Sequence, residues 1–239
     1  GADAIRQRVI EIDQKGNVLN HQVVEGVIRS KARLIYDDVS DLLEKGDDRA
    51  FKGMDEIVRD LKLMEELSHI LNERRERRGS IDFDFPEARI ILDENGKPVD
   101  IVKEDRRIAN RMIEEFMLIC NETIAEEMYW AQVPFLYRIH QEPDEDKISG
   151  LNKFLHNFGY MLKGSQEIHP KELQKITKEV KGKKEETLIN TMILRSLKKA
   201  RYSSEHDIHF GLAAKYYSHF TAPIRRYPDL HRRYRSYIR

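Results

Sequence analysis

The 239-residue sequence contains a single cysteine, Cys120, and no long run of apolar residues. One cysteine can form neither a disulfide within the chain nor a zinc site built from several thiolates. A helix that spans a bilayer needs roughly 20 apolar residues, and a secretory signal pattern is also missing at the start. These absences predict a cytoplasmic protein, with no membrane partner, in which Cys120 is a small core residue.

An excess of charge of one sign is also missing, since 42 Lys and Arg balance 42 Asp and Glu. The balance hides an asymmetry along the chain. Residues 195–239 contain eleven basic and three acidic residues, which leaves +8 on this tail and −8 on residues 1–194. A basic segment on an acidic body is typical of proteins that bind polyanions, although the same charges could form a solvated basic helix end.

The basic tail interleaves arginines with aromatic residues. Residues 209–239 read HFGLAAKYYSHFTAPIRRYPDLHRRYRSYIR. Arginine can clamp a phosphate through a planar fork of donors, and an aromatic ring can stack on a base of any identity. The tail therefore predicts a nucleic acid as the partner.

Hydrophobic periodicity predicts one α+β domain over residues 1–239, in which β hairpins pack with a mainly helical second half. Hairpin turns are expected at Lys15-Gly16-Asn17 and at Asn95-Gly96, where glycine and asparagine favour tight turns. Strands are expected at 8–13, 18–28, 81–85, 89–92 and 99–102. Helices are expected at 37–45, 54–79, 105–131, 144–156, 170–180 and 184–199.

Three local features of the helices follow from the same patterns. Asp37 and Asp38 are expected to cap the helix that they open. Helix 105–131 is expected to be the longest. The stretch NERRERR at 72–78 interleaves glutamate with arginine, which indicates a solvated helix surface.

Several stretches, in order and spacing, carry a resemblance to a known family. They are VIRSKARLIYDDV, GSIDFDFPEARIILDENGKPVDI, IANRMIEEFMLICNETIAE, PFLYRIHQEPDEDKI and, in the tail, HFGLAAKYYSHFTAPIRRYPDL. Together they resemble the RNB catalytic domain of the ribonuclease II and ribonuclease R family, and the tail favours the ribonuclease R branch. The resemblance runs from about residue 8 onward and indicates a partial RNB domain.

The resemblance implies processive 3′-to-5′ hydrolysis of single-stranded RNA to nucleoside 5′-monophosphates. In this family divalent metal, with Mg²⁺ expected, is held by aspartates and activates water for in-line attack. Those aspartates lie in an upstream motif for which this sequence has no substitute, and the flanking oligonucleotide-binding modules are also missing. The resemblance thus implies a parent exoribonuclease whose metal ligands lie outside this chain, and a chain that is inactive alone.

Two residues match catalytic positions of the family. Arg225 matches its catalytic arginine, which holds the scissile phosphate and stabilises the charge of the transition state. Tyr36 matches a tyrosine near the metal site that positions the terminal nucleotide. As alternatives, Arg225 could pair with acids on the body, and Tyr36, which begins a helix, could be a hydrophobic staple.

Four further residues form the predicted RNA-binding set. Phe83 matches the aromatic that stacks on the 3′ end of the bases, with Phe85 as the alternative, although an aromatic in an alternating strand could instead be buried. Glu114 matches an acid that accepts a hydrogen bond from a ribose hydroxyl, although on a helix it could also face solvent. Arg226 and Tyr227 complete the set, and Tyr227 could instead shape the loop.

Two other functions remain open on the sequence. A truncated RNB domain could be a non-catalytic RNA-binding or scaffold protein, which predicts salt-sensitive binding without turnover. A metal-independent hydrolase using His140, His206 or His209 has less support, because no serine or cysteine nucleophile stands in a strand-turn-helix elbow. The sequence sets no oligomeric state.

Overall fold

The computed structural model describes residues 3–83, 87–163, 168–222 and 225–226. Its helices are α1 (Tyr36–Lys45), α2 (Asp55–Arg78), α3 (Ile108–Trp130), α4 (Glu145–His156), α5 (Pro170–Val180) and α6 (Glu186–Ser196). Its strands pair as antiparallel ribbons: β1 (Asp3–Ile12) with β2 (Val18–Ile28), β3 (Glu87–Leu92) with β4 (Pro98–Glu104), and β5 (Tyr137–Ile139) with β6 (Arg201–Ser203). The α+β prediction is confirmed.

Both predicted hairpins are present, and an aspartate shapes each turn. The carboxylate of Asp13 accepts hydrogen bonds from the backbone N–H groups of Lys15 and Asn17, at 2.8 and 2.7 Å. Asp93 does the same for Asn95 and Lys97 in the second hairpin. Short polar side chains that bond to the following backbone are favoured in turns for this reason.

Two of the helix predictions were wrong in detail. The cap of α1 is Ile35, in extended backbone without a side-chain bond, so Asp37 and Asp38 lie in the first turn of the helix instead. There their charges still favour the positive end of the helix dipole. Helix α3 has 23 residues and α2 has 24, because Arg107 is still extended and α3 begins only at Ile108.

The predicted strand over residues 81–85 does not form in its described part, residues 81–83, which has no regular secondary structure. Helix α2 ends at Gly79, whose positive φ of 101° is costly for any other residue. A Cβ at Gly79 would also lie 2.4 Å from the Cγ of Lys171 on α5. The chain then turns away, and the N–H of Ile81 donates to the carbonyl of Gly211 at 2.8 Å. Phe85 lies outside the described residues.

Three apolar clusters form the core of the described residues. The largest joins α4, α5 and α6 with Ile81 and Phe210, and the second joins α1, α2 and the start of α3. The third contains Ala125 of α3, Tyr137 and Ile139 of β5, and Tyr216. Helix α3 therefore contributes to two clusters, and Tyr216 packs with Ala125 in its second half. Among helices in the described part of the chain, none has the length and apolar character needed to cross a membrane.

Candidate nucleic-acid interface

Glu114 lies on α3 beside an arginine that also holds the segment before Phe83. The Nε of Arg106 donates to Glu114 at 2.8 Å, and its Nη1 donates to Asp82 at 3.0 Å. Burial alone raises the pKa of Asp82, but the charges of Arg106 and Arg75 outweigh it and lower that pKa. Glu114 therefore does not simply face solvent. Its carboxylate is part-exposed and paired, and it is tied through Arg106 to the residue next to Phe83.

A buried ion pair joins α2 and α3 next to this arrangement. The Nη2 of Arg75 on α2 lies 2.8 Å from the carboxylate of Glu115 on α3, and both side chains are more than 90% buried. Arg75 also donates to the hydroxyl of Ser80 at 3.0 Å, and Asn72 donates to Glu115 at 3.0 Å. The interpretation of residues 72–78 as a solvated surface was therefore wrong at Arg75. Its burial depends on Glu115, which is 40 residues away in the sequence.

Arg107, the residue after Arg106, binds two acids of α1. Arg107 donates from Nη2 to Asp41 at 2.6 Å and to Glu44 at 2.7 Å. Tyr36 is the first residue of this helix, and half of its side chain is exposed. The exposure leaves the ring accessible to a ligand and differs from the buried contact that a hydrophobic staple makes.

Arg225 and Arg226 lie in a turn that follows Ala222. Both of their backbone N–H groups donate to the carbonyl of Ala222, at 3.2 and 3.0 Å. The side chain of Arg225 is exposed, whereas Arg226 is half-buried. Burial raises the pKa of Tyr217, and a hydrogen bond from Asn121 and the charge of Arg226 oppose that rise. Tyr227 lies outside the described residues.

Asn121 connects this tail segment to α3. Its Oδ1 accepts from the N–H of Phe220 at 2.9 Å, and its Nδ2 donates to the hydroxyl of Tyr217 at 3.3 Å. Asn121 lies seven residues after Glu114, and residues at that spacing lie on one side of a helix. Sequence reasoning did not identify Asn121, Arg106 or Arg75 as part of the site, because each acts on a segment distant in the sequence.

The histidines near the tail have structural partners. The rings of His140 and His209 are 5.2 Å apart, and their Nδ1 atoms accept from the N–H groups of Gly211 and Leu212. Burial, together with the neighbouring His140, lowers the pKa of His209 to about 3. Burial also lowers the pKa of His140. Both rings are neutral at pH 7 and hold a turn, which gives no support to a histidine-based hydrolase.

The acids of the described residues do not converge on a metal site. Asp47 is held by Arg49 at 2.5 Å, Asp82 by Arg106, and Asp37 lies 3.8 Å from Arg107. Within the described ranges, no group of three or more His, Cys, Asp or Glu side chains is placed to hold a metal ion. Carboxylates that face arginines in this way do not fit a divalent cation, which needs several converging oxygens.

Comparisons with known proteins agree with one another. The RNB domain family matches residues 7–237. Ribonuclease R 1 of Lactococcus lactis is 46% identical over 223 residues, which are 93% of this chain and 27% of that protein. Ribonuclease R of Thermotoga maritima is 43% identical over 242 residues, covering 100% of this chain and 34% of that protein. The structure of Mycoplasma genitalium RNase R in complex with ribose methylated single-stranded RNA is similar with a TM-score of 0.90 and 28% identity, covering 96% of this chain and 36% of that one. The chain thus spans about a third of its relatives' length.

Proposed function

Because the chain belongs to the RNB domain family, we propose that it forms part of a processive 3′-to-5′ exoribonuclease that hydrolyses single-stranded RNA to nucleoside 5′-monophosphates. The relatives named ribonuclease R support the reaction, and the RNase R complex with single-stranded RNA supports the substrate class. The activity belongs to the whole enzyme, of which this chain contributes an RNA-binding portion.

One observation carries the proposal: three separate segments meet at α3. Arg107 attaches α1, Arg106 attaches residues 80–83 through Asp82, and Asn121 attaches residues 217–220. Each attached segment carries or adjoins a residue suited to RNA. Tyr36 lies on the first of these segments, Phe83 on the second, and Arg225 follows the third, while Glu114 lies on α3 itself.

In this proposal Arg225 and Tyr36 act at the end of the RNA strand. The exposed guanidinium of Arg225 holds the scissile phosphate and stabilises the charge that builds in the transition state. A guanidinium is suited to this because it is always charged and presents a fixed fork of donors. Tyr36 positions the terminal nucleotide with its exposed ring.

Phe83, Glu114, Arg226 and Tyr227 bind the strand itself. Phe83 stacks on a base near the 3′ end, and Glu114 accepts from a ribose hydroxyl, the group that separates RNA from DNA. The bond from Arg106 fixes the orientation of the Glu114 carboxylate while part of it stays exposed. Arg226 and Tyr227 extend the contact with the backbone.

We expect the parent enzyme to use a divalent metal, with Mg²⁺ the expected ion, bound by residues other than those described. The described acids do not fit it, because no three of them converge on one point and Asp47 and Asp82 are paired with arginines. We therefore assign no step of the reaction to a metal held by this chain. The chain alone is proposed to bind single-stranded RNA without hydrolysing it.

The alternative is a non-catalytic RNA-binding or scaffold protein derived from an RNB domain. This alternative keeps the proposed RNA contacts and needs no metal ligands anywhere in the whole protein. The alternative differs from the exoribonuclease in one measurable respect. It predicts that the whole protein also binds RNA without magnesium-dependent shortening.

The test is an assay with 5′-labelled single-stranded RNA, with and without magnesium, in which anisotropy scores binding and a gel scores shortening. We expect the chain alone to bind, to lose affinity as salt rises, and to leave the RNA intact. Arg225→Ala is expected to weaken binding about tenfold, since a hydrogen bond to a charged group contributes about 1.5–3 kcal/mol.

Arg59→Ala is the matched control, because it removes another exposed arginine, on α2. Magnesium-dependent shortening that disappears in Arg225→Ala would show that the chain contains a metal site, and the proposed inactivity would be wrong. Absence of salt-sensitive binding would overturn the RNA-binding function. The whole protein, tested in the same way, separates the exoribonuclease from the scaffold.

A further inference from the structure

Asn121 is a buried amide whose side-chain bonds hold the tail segment. Only 2% of the residue is exposed. Both ends of its amide are used, since Oδ1 accepts from the N–H of Phe220 and Nδ2 donates to the hydroxyl of Tyr217. An apolar side chain of similar size could make neither bond.

We propose that Asn121 is a positioning residue that fixes the turn carrying Arg225, so that the guanidinium meets the RNA phosphate in one orientation. The inference rests on the proposed function of Arg225. Asn121 itself, buried beneath the tail, touches no RNA. Its effect reaches the ligand through the backbone between Phe220 and the turn that begins at Ala222.

Several hydrogen bonds hold the tail segment, and the bond from Asn121 reaches Phe220, two residues before Ala222. The carbonyl of Tyr217 accepts from the N–H of Arg138 at 2.9 Å, and the hydroxyl of Ser218 donates to the carbonyl of Leu136 at 2.7 Å. The bond from Phe220 to Asn121 follows two residues later. It therefore constrains the chain immediately before Ala222, whose carbonyl accepts from both arginine N–H groups of the turn.

The second bond of Asn121 acts on the same stretch of backbone. By donating to the Tyr217 hydroxyl, the amide fixes a ring three residues before Phe220. One side chain thus holds the tail segment at Tyr217 and at Phe220, both of which precede the turn. A misplacement of about 1 Å in such a support can lower the efficiency of a site about a hundredfold.

The first test is a double-mutant cycle on the binding of single-stranded RNA to the whole chain. We expect Asn121→Ala to weaken binding about threefold to fivefold and Arg225→Ala about tenfold. If Asn121 acts through the arginine, the double variant binds as weakly as Arg225→Ala alone. Fully multiplicative effects, or wild-type binding by folded Asn121→Ala, overturn the proposal.

Thr123→Val is the matched control. Thr123 is also buried on α3, but its hydroxyl donates at 2.8 Å to Ile119 of the same helix and not to the tail. Its loss is expected to lower stability without changing RNA affinity. If Asn121→Ala fails to fold, Tyr217→Phe is the milder variant, because it removes one bond of Asn121 and keeps the bond to Phe220. We expect Tyr217→Phe to lose less RNA affinity than Asn121→Ala. Combined with Arg225→Ala, it should cause no further loss.

Hydrogen exchange of residues 217–226 separates failure of this inference from failure of the proposed function. Faster exchange there in Asn121→Ala, but not in Thr123→Val, supports the anchoring without reference to RNA. If exchange rises in Asn121→Ala while Arg225→Ala binds RNA like the wild type, the proposed role of Arg225 is wrong, but Asn121 does hold the tail segment. Unchanged exchange at residues 217–226 overturns the anchor itself.

Discussion

The guanidinium of Arg106 lies between two acids from different parts of the chain, with its Nε 2.8 Å from the carboxylate of Glu114. Its Nη1 is 3.0 Å from Asp82, which precedes Phe83. Arg106 therefore links the residue of the predicted ribose contact to the residue that precedes the predicted base contact. Burial lowers the pKa of Arg106, but the bonds to the two acids outweigh burial and raise that pKa above its ordinary value.

Arg106→Lys is expected to weaken binding of single-stranded RNA severalfold. A lysine keeps the charge but cannot span two carboxylates with a planar fork, so Glu114 and Asp82 lose their common partner. The free energy of unfolding should fall by about 1.5–3 kcal/mol, the contribution of a hydrogen bond to a charged group. Anisotropy and urea unfolding measure the two effects. Arg59→Lys is the control, and equal RNA affinity in both variants would show that Arg106 has no part in the site.

Arg75→Met is expected to lower the free energy of unfolding by about 3–5 kcal/mol, because it leaves the charge of Glu115 buried without its partner. Adding Glu115→Leu should recover much of that loss, since two apolar side chains carry no desolvation cost. Urea unfolding of the two single variants and the double variant measures the cycle. A double variant as unstable as the sum of the single variants would contradict a direct coupling across this pair.

Stability is expected to fall as the pH is lowered from 7 to 5, and His209 is a main cause. Its pKa is about 3 when folded, and the ordinary value is 6.5. The unfolded chain therefore takes up the proton first, and stabilisation present above pH 6.5 is lost progressively between 6.5 and about 3. At pH 5 the loss is about 2 kcal/mol. In His209→Gln the difference in unfolding free energy between pH 7 and pH 5 should shrink by about that amount, whereas the exposed His69→Gln should leave it unchanged.

Tyr36→Ala is expected to weaken RNA binding severalfold with a change in stability of less than about 0.5 kcal/mol. Half of the side chain is exposed, so little packing is lost, whereas contact of an aromatic ring with a nucleotide contributes about 1–3 kcal/mol. Tyr36→Phe should retain most of the affinity if the ring makes the contact. The neighbouring Ile35→Ala removes another exposed side chain. Equal affinities of Ile35→Ala and Tyr36→Ala would exclude a specific role for the tyrosine.

The sequence predicted the elements whose signals are local. Gly46 and Gly79 end α1 and α2 because both adopt positive φ, and the two hairpin turns follow from aspartate and glycine within five residues. The short β5–β6 ribbon was not predicted, because three residues per strand give no readable alternation. The buried position of Arg75 was also missed, since an arginine among glutamates carries no local sign of a partner on another helix.

The candidate site was likewise only partly predicted from the sequence. Tyr36, Phe83, Glu114 and Arg225 were assigned by resemblance to a family, and their roles in RNA binding stay predictions. The residues that bring them together could not be read from the sequence. Asn121 and Arg106 look like ordinary polar residues on or near a helix, and only the folded chain brings their partners within reach.

The bond between Asn121 and Phe220 joins residues 99 apart in the sequence, and that between Arg78 and Leu212 joins residues 134 apart. Closing such long loops is slow, because the chain entropy lost in bringing the two ends together is offset only when the distant contact has formed. The bond between Asn121 and Phe220 cannot form on the ribosome until residue 220 has been synthesised. The proposed RNA-binding surface would therefore be completed only after most of this sequence has been translated.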